Sequence, residues 1–398
     1  MGDNNNKLGF VGEKIQYTSL KNINMYKSES INPAKYPNEI FEVYSVPAFE
    51  TGHPEYLHGE EIASNKNIVQ KDDILLCKIN PRINRVWVVA DESEHQNIAS
   101  SEWIVIRTKE YNPEFLAWYL RTPKFQQLMT SEVTGIGGSL TRAQPKRVAE
   151  YPVPVVDREM QERITNVLNH VSHMVQLKKQ ELRQLDTLIK ARFVELFGNP
   201  LDGTAKYTIH HVGDVAEAVD PQPSHRTPPV QEGGIPYVSI KDCDYKTGKF
   251  DFEGARKVNK KVLEEHLNRY TLHDGDFIIG KIGTIGKPIF VPIRTDYTLS
   301  ANVVLVQPNS ELVSPYFLKY SFESDFVERQ FFEAKNSTSQ AAFGIQKVRA
   351  IEVMNPNLDV QREFEEFAKQ IDKSKVAVQK SLDELQILFD SLMQEYFG

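Results

Sequence analysis

Residues 275–287 read GDFIIGKIGTIGK, a stretch of glycine and lysine that raises the question of a nucleotide phosphate site. A phosphate-binding P-loop needs four residues between its first glycine and a Gly-Lys-Ser/Thr, so that backbone N–H groups surround the anion. In this sequence Lys281 takes the place of the first glycine, and Pro288 replaces the Ser/Thr that would bind magnesium. The spacing disfavours a P-loop and predicts a strand over 276–281, a glycine turn, and a second strand over 289–293.

Catalytic signatures have little support elsewhere in the chain. Asp242, Asp244 and Lys246 could form part of a nuclease metal site, in which carboxylates hold magnesium beside a lysine. Such triplets are common by chance, and the first half has no copy of this one. Cys77 and Cys243 form no CxxC motif and are predicted to be buried thiols. The Asn/Asp/Ser-Pro-Pro-aromatic signature of amino methyltransferases is absent. We therefore expect no catalytic residue and no metal site.

Four cationic stretches without Asp or Glu recur at matching places in the two halves of the chain. Residues 74–90 correspond to 277–295, and residues 133–149 correspond to 334–351. The whole chain has 47 basic and 54 acidic residues, a formal charge of −7. Repeated exclusion of carboxylates from the same places therefore favours a DNA phosphate backbone as ligand, and Arg, Gln and Asn are the side chains that read base edges. The predicted DNA-binding residues are Lys78, Arg82, Arg85, Ser139, Thr141, Arg142, Gln144, Lys146, Lys281, Thr284, Lys287, Ser339, Gln340, Gln346 and Lys347.

These stretches belong to an internal repeat, which indicates two copies of one domain. The segment DDILLCKIN at 72–80 aligns with GDFIIGKIG at 275–283, PEFLAWYL with PYFLKYSF, and EYPVPVVD with EVMNPNLD. Short β-rich runs punctuated by Gly, Pro and Asn predict mixed α+β domains over 1–157 and 201–357. Their first 60 or so residues show no convincing alignment.

Each globular half leads into a segment almost free of Gly and Pro, which predicts long helices within 158–200 and 358–398. Apolar residues spaced by alternating fours and threes form a heptad seam of the coiled-coil type. The first segment has 7 basic and 5 acidic residues (+2) and the second has 5 and 9 (−4), so we expect the helices to pair, in an antiparallel sense. Packing of each helix on its own domain alone is the alternative. The predicted seam consists of Ile164, Leu168, Val171, Val175, Leu182, Leu185, Ile189, Phe364, Ile371, Val378, Leu382, Leu385, Phe389 and Leu392.

The order of these elements resembles the specificity subunit of a type I restriction-modification system. The resemblance covers essentially the whole chain. It is carried by the tandem halves, by DFIIGKIGTIGKPIFV with its counterpart DDILLCKIN, and by the exits YPVPVVDREMQERI and VMNPNLDVQREF. The helix ends ELFGNP and EYFG also match, and GIPYVSIKDCDYKTGKFD resembles the opening of a target-recognition domain. The sequence departs from the family at DDILLCKIN, which lacks the usual glycines, and at PVPVVDREMQ, a looser form of its Pro-rich exit.

The resemblance implies an α+β tandem repeat with two target-recognition domains, 1–157 and 201–357. Between them, the helices of 158–200 and 358–398 would form an antiparallel coiled coil as spacer. Such a chain is a non-catalytic subunit that reads a bipartite double-stranded DNA target with a fixed gap. It seats two methyltransferase subunits, which bind S-adenosylmethionine and methylate adenine, and restriction motor-nuclease subunits can join them. The chain itself would bind no cofactor.

Two other functions stay open on the sequence alone. One is a coiled-coil adaptor whose globular ends bind proteins and do not contact DNA, and the other is the metal-dependent nuclease. No apolar run approaches about twenty residues, and the start, MGDNNNKLGF, lacks the pattern of a signal peptide. We therefore expect a cytoplasmic protein that does not bind membranes.

Overall fold

The chain forms two compact units. The computed structural model describes residues 16–90, 92–131, 133–134, 141–224, 226–245, 247–282, 284–336 and 343–398. Unit 1 comprises residues 1–176 and 383–398, and unit 2 comprises residues 177–382. Each unit therefore combines one globular half with parts of both long helices.

Unit 1 contains a mixed five-stranded sheet, order β2-β5-β8-β3-β4, and an antiparallel three-stranded sheet, order β7-β6-β9. The pairs β1–β12 and β10–β11 lie outside these two sheets. The strands are β1 Tyr17–Ser19, β2 Ser30–Ile31, β3 Ile40–Tyr44, β4 Glu55–His58, β5 Lys66–Ile68, β6 Ile74–Cys77, β7 Val86–Val88, β8 Gln96–Ser100, β9 Trp103–Ile106, β10 Val133–Thr134, β11 Arg142–Ala143 and β12 Pro152–Pro154. The helices of its globular part are α1 Leu20–Ile23, α2 Pro113–Leu120, α3 Pro123–Ser131 and α4 Pro145–Val148.

Unit 2 follows a related plan, with sheets in the order β14-β22-β19-β20 and β18-β15-β21 and the pairs β13–β23 and β16–β17. The strands are β13 Ile209–His211, β14 Ala216–Val219, β15 Ile235–Val238, β16 Cys243–Asp244, β17 Lys249–Phe250, β18 Arg256–Val258, β19 Phe277–Gly280, β20 Ile289–Phe290, β21 Thr298–Leu299, β22 Val303–Pro308 and β23 Glu352–Met354. The helices of its globular part are α6 Val212–Val215, α7 Lys260–Leu267, α8 Pro315–Phe322, α9 Asp325–Asn336 and α10 Ile345–Arg349. The two long helices are α5 Arg158–Phe197 and α11 Leu358–Phe397.

The central strand pairs, β6 with β9 in unit 1 and β19 with β22 in unit 2, have the same residue register. Cys77 at the end of β6 lies opposite Trp103 in β9, and Gly280 at the end of β19 lies opposite Val303 in β22. The repeat also extends to the start of each unit, because Leu20 N donates to Tyr151 O at 2.9 Å and Val212 N donates to Ile351 O at 2.8 Å. The tandem α+β repeat predicted from the sequence is thus confirmed.

A buried glutamine joins each globular half to its own long helix. In unit 1 the amide oxygen of Gln161 accepts from Asn112 N at 2.6 Å, and its amide nitrogen donates to Val156 O at 2.8 Å. In unit 2 Gln361 repeats this pattern, accepting from Ser314 N at 2.7 Å and donating to Pro356 O at 2.7 Å. Both glutamines are at most 1% exposed. Gln161 thus links the N-cap residue of α2 to the backbone that precedes α5, and Gln361 links the N-cap residue of α8 to the backbone that precedes α11.

A phenylalanine at the end of the other long helix completes each joint. In unit 1 the ring of Phe397 lies 5.6 Å from that of Phe115 in α2. In unit 2 the ring of Phe197 lies 4.7 Å from that of Phe317 in α8. Just beyond Phe197, Gly198 has a φ of +76°, and a Cβ there would meet Thr204 O at 1.9 Å. Glycine is therefore required at this helix end.

The long helices pair in an antiparallel sense inside each unit. In unit 2 the Asp186 carboxylate lies 2.7 Å from the Lys375 ammonium, and Arg192 lies 2.6 Å from Glu363. Burial lowers the pKa of the Lys375 ammonium, but the carboxylates of Asp186 and Asp372 together have the larger effect, so the pKa is raised. In unit 1 Trp118 contacts both helices, since it donates to the Asn169 side chain of α5 and its ring lies 5.5 Å from Phe389 of α11.

The predicted seam residues are buried or half-buried, as coiled-coil packing requires. The buried seam residues are Ile164, Leu168, Val171, Val175, Ile189, Phe364, Val378 and Leu382. The half-buried ones are Leu182, Leu185, Ile371, Leu385, Phe389 and Leu392.

None of the helices in the described part of the chain is long and apolar enough to cross a membrane.

We predict that Gln361→Leu destabilises unit 2. The substitution leaves the Ser314 N–H and the Pro356 carbonyl without partners in the interior, and each unsatisfied group costs about 1–3 kcal/mol. Native-state hydrogen exchange of the amides in unit 2 measures the effect without requiring the whole chain to unfold in one step.

Gln370→Leu is the matched control, because Gln370 is an exposed glutamine of the same helix. Its effect should stay within about 0.5 kcal/mol, as for most surface substitutions. Equal protection in both variants would mean that the Gln361 joint does not stabilise the unit.

Candidate nucleic-acid interface

In unit 1 the two predicted cationic stretches lie side by side. Ala143 N donates to Lys78 O at 2.9 Å, and Asn80 N donates to Thr141 O at 2.7 Å. Residues 79 and 142 form an isolated antiparallel bridge. The chain beyond β6 and the chain at β11 therefore form one continuous edge of the unit.

Unit 2 brings its two stretches together with the same backbone bonds. Phe343 N donates to Lys281 O at 3.0 Å, as Ala143 does to Lys78. Lys281 N donates in turn to Asn302 O at 2.8 Å, and Lys78 N donates to Glu102 O at 3.0 Å. Both units thus place a turn after the central strand against a short cation-bearing helix, α4 or α10.

The edge of unit 1 presents exposed side chains that could contact a polyanion. Arg82, Gln144 and Lys146 are exposed. Lys78 is half-buried, and its ammonium donates to Ser101 O at 2.6 Å. Arg85 lies 3.3 Å from the Glu50 carboxylate. Three side chains are thus open to a ligand, whereas Lys78 and Arg85 already have polar partners on the protein.

Arg142 forms a bidentate pair with an acidic residue that lies outside the cationic stretches. Its Nε and Nη2 lie 3.2 and 3.0 Å from the two carboxylate oxygens of Glu102. These hydrogen bonds raise the pKa of Arg142. A stretch that is free of acids in sequence is therefore not free of them in space, and the charge of Arg142 is partly neutralised by Glu102.

Two predicted contact residues lie in the interior. Thr141 is 8% exposed. Lys281 is 3% exposed, and its ammonium lies 2.8 Å from a carboxylate oxygen of the similarly buried Asp220. In this structure the buried Lys281 ammonium neutralises Asp220 and does not face solvent, so its predicted contact with DNA stays a prediction.

The turn after β19 keeps two of its predicted side chains exposed, Thr284 and Lys287. The Lys287 ammonium lies 4.7 Å from the centre of the Tyr245 ring, and the Tyr245 hydroxyl donates to Lys287 O at 3.2 Å. Gly286 has a φ of +80°, and a Cβ there would meet the Phe331 ring at 2.5 Å. The glycine therefore lets the turn lie flat on α9 while Lys287 points away from it.

The remaining predicted residues lie on α10 or outside the described residues. Gln346 of α10 is exposed, and the half-buried Lys347 has its ammonium 5.9 Å from the centre of the Phe343 ring. Ser139, Ser339 and Gln340 lie outside the described residues. The predicted contacts that the structure describes as open to solvent are Arg82, Gln144, Lys146, Thr284, Lys287 and Gln346.

The carboxylates of the nuclease alternative serve local turns. Asp242 accepts from Ser239 N at 2.8 Å, and Asp244 accepts from the Thr247 hydroxyl at 2.7 Å. Lys246 lies outside the described residues. Within the described part of the chain, no group of three or more His, Cys, Asp or Glu side chains could hold a metal ion.

Burial raises the pKa of the half-buried Cys243 to about 12, and Cys77 is buried as predicted.

Sequence reasoning missed the cations of a long helix. Lys179, Arg183 and Lys190 are exposed on α5 and line the same cleft of unit 2 as Thr284 and Lys287. Their spacing of four and seven places them on one helix face, a signal that is present in the sequence. The heptad pattern predicts the apolar seam of this helix but makes no prediction about its charged face.

Residues 206–386 match the family model described as the type I restriction modification DNA specificity domain. A curated relative from Methanocaldococcus jannaschii, named for the MjaX specificity subunit of a type I restriction enzyme, is 22% identical over 142 residues. This match covers 34% of the chain and 33% of the relative. The matched stretch thus spans about a third of the relative's length.

Two solved structures resemble the fold along almost the whole chain. The type I restriction-modification S subunit from M. genitalium superposes with a TM-score of 0.58 at 12% identity, over 100% of this chain and 98% of that one. A chain from a study of complex assembly and conformational transition in a type I R-M system gives a TM-score of 0.53 at 16% identity, over 96% and 97%. At these identities the likeness shows a shared fold.

We predict that Lys281→Met destabilises unit 2, because it leaves the buried Asp220 carboxylate without its countercharge. Removing one partner of a buried ion pair costs about 3–5 kcal/mol. The thermal unfolding transition of unit 2 and its hydrogen-exchange protection should both fall.

Lys287→Met removes an exposed lysine six residues further along and serves as the control, with an expected change within about 0.5 kcal/mol. Full stability of the Lys281 variant, together with weakened DNA binding, would return Lys281 to the interface.

Proposed function

We propose that this chain, whose residues 206–386 match the model of the type I restriction modification DNA specificity domain, is the subunit that reads a bipartite DNA target. In this proposal each unit reads one part of a double-stranded sequence, and the gap between the parts is fixed. The chain carries out no chemistry of its own.

The observation that carries the proposal is the repeated edge described above. In both units the end of the central strand, at Lys78 or Lys281, is bonded to the chain that leads into a short helix bearing Lys146 or Lys347. Exposed cations position DNA through its phosphates, whereas Gln144 and Gln346 offer the paired donor and acceptor that suit adenine. Two similar edges with different side chains support two half-sites of different sequence.

The long helices support the proposed fixed gap. Each of α5 and α11 is an uninterrupted helix of 40 residues, which corresponds to about 60 Å at ~1.5 Å per residue. An unbroken helix holds its two ends at a nearly constant distance, whereas the end-to-end distance of a flexible linker varies. We propose that their outer faces seat two methyltransferase subunits.

Those methyltransferase subunits would bind S-adenosylmethionine and methylate adenine, and restriction motor-nuclease subunits would join the same assembly. The chain acts, in this proposal, in the cytoplasm, where its DNA substrate is accessible.

A coiled-coil adaptor that binds only proteins is the competing function. The formal charge of −7 favours it, because DNA-binding proteins are more often basic. The exposed cations Arg82, Lys146 and Lys287 argue against it, because they lie in stretches that lack Asp and Glu at matching places of both halves, a pattern that a protein partner would not require.

Lys146→Ala combined with Lys287→Ala should weaken duplex binding by the assembly of this chain with its methyltransferase subunits. Each phosphate contact that is lost reduces the slope of log K against log salt by about 0.9, so the double variant should lose about 1.8. Fluorescence anisotropy at several salt concentrations measures both the affinity and the slope.

The control for that pair is Lys260→Ala with Lys261→Ala, which removes two exposed lysines outside the two edges and outside the long helices. An unchanged slope in the Lys146/Lys287 variant would contradict the proposed edges. A wild-type assembly that binds no duplex would instead favour the adaptor.

Exchange of residues 201–357 for the corresponding domain of another such subunit should change one part of the recognised sequence and leave the other part and the gap unchanged. Mapping of methylated adenines across the host genome measures the outcome. If both parts changed, or methylation no longer had a fixed spacing, the two units would not be independent readers.

A further inference from the structure

A wide cleft in unit 2 separates α5 from the turn after β19 and from α9. Its volume is about 1230 Å³. Pockets for small molecules usually enclose about 300–1,000 Å³. The size therefore suits a segment of polymer better than a metabolite.

The side chains that line the cleft carry an excess of positive charge. Two of its six cations are neutralised, since Lys375 lies 2.7 Å from Asp186 and Lys319 lies 2.9 Å from Glu323. Among the residues that the structure describes, the other four form no ion pair, and they face one further acid, Glu328. These four are Lys179, Arg183, Lys190 and Lys287. The cleft thus has a net charge of +3 (six cations less three acids) in a chain of −7.

Three of these cations form a row along α5. Lys179 and Lys190 are eleven residues apart, which corresponds to about 17 Å along the helix axis at ~1.5 Å per residue. One DNA strand presents a phosphate every ~3.4 Å of its axis, so the row could accompany about five phosphates. All three side chains are exposed and extend from one face of the helix.

The opposite wall is the turn that bears Thr284 and Lys287. Tyr245 braces this turn, because its hydroxyl donates to Lys287 O at 3.2 Å and its ring lies 4.7 Å from the Lys287 ammonium. The cleft therefore places cations on two walls, one on the helix and one on the proposed reading domain.

We propose that this cleft binds the sugar-phosphate backbone of DNA, with the long helix α5 as a phosphate-binding wall. The inference rests on the proposed DNA-reading function and extends it to a helix that reads no bases. Lys179, Arg183 and Lys190 contact phosphates without regard to sequence, and Lys287 contacts the same backbone from the domain. Their contribution is to hold the duplex in position beside the reading edge of unit 2.

The row belongs to α5 and has no counterpart in the repeat. Two hundred residues further along, the equivalent positions are Gln379, Asp383 and Asp390. Replacement of two cations by carboxylates would repel a phosphate backbone. The proposed phosphate contacts of Lys179, Arg183 and Lys190 are therefore specific to unit 2. The two half-sites would then be held by unequal numbers of phosphate contacts.

The test compares the wild-type assembly of this chain and its methyltransferase subunits with K179Q/R183Q/K190Q in the same assembly. Binding to a duplex that contains the host target and to an unrelated duplex is followed by fluorescence anisotropy between about 50 and 200 mM salt. The salt slope of the triple variant should be smaller by about 2.7, three phosphate contacts at ~0.9 each. Affinity for both duplexes should fall by the same factor, because the contacts read no bases.

Two further variants separate charge from structure. K260Q/K261Q/R269Q removes three exposed cations of unit 2 that lie outside both the cleft and the long helices, and it should keep the wild-type slope. K179R/R183K/K190R keeps the charge of the row and should also keep the slope. A reduced slope in this charge-retaining variant would show that the row acts through folding and would overturn the proposal.

The remaining outcomes distinguish this inference from the function on which it rests. If the wild-type assembly binds no duplex, the DNA-reading function fails and the cleft proposal fails with it. If the wild type binds and the K179Q/R183Q/K190Q variant keeps the wild-type slope, the function stands and the helix wall is wrong. A triple variant that keeps its slope but no longer co-elutes with the methyltransferase subunits would assign the row to a protein partner.

Discussion

The buried glutamine at the start of each long helix is the constraint on which each unit depends. A helix packed only through apolar side chains can rotate or slide at little cost, whereas an amide with two directed hydrogen bonds cannot. Gln161 and Gln361 each fix one backbone donor and one backbone acceptor in the protein interior. Because the cations Lys179, Arg183 and Lys190 extend from α5, their position relative to the turn of unit 2 depends on how firmly α11 and α8 are held together.

The periodic features of the fold could be predicted from the sequence because each rests on many residues. The seam of α5 and α11 repeats over several heptads, and the helices begin at Arg158 and Leu358, where the Pro-containing exits end. The first elements of each unit could not be matched in the same way. The segments Tyr17–Ile23 and Ile209–Val215 share a backbone register but almost no residue types, because the pairing with β12 and β23 and the bonds from Leu20 N and Val212 N join backbone atoms, which every residue type provides.

The candidate site was predictable in position but less so in its individual side chains. Lys78 and Lys281 occupy one place in the repeat, yet the first is half-buried and donates to a carbonyl while the second pairs with Asp220 in the interior. Asp73 and Asp276 differ in a similar way: Arg107 holds Asp73 through two bonds, whereas Gln307 occupies the equivalent place beside Asp276. There, burial raises the pKa of Asp276. Sequence alone gives the residue but not the partner across the sheet.

The acidic total of the chain is compatible with a polyanionic ligand because screening limits the range of exposed charges to about 10 Å at 0.1 M salt. What matters to a phosphate is therefore the charge within one cleft or edge. In unit 2 two of the three carboxylates that line the cleft are paired, Asp186 with Lys375 and Glu323 with Lys319. These pairs use two of the six cations, and the remaining four face one further acid, Glu328.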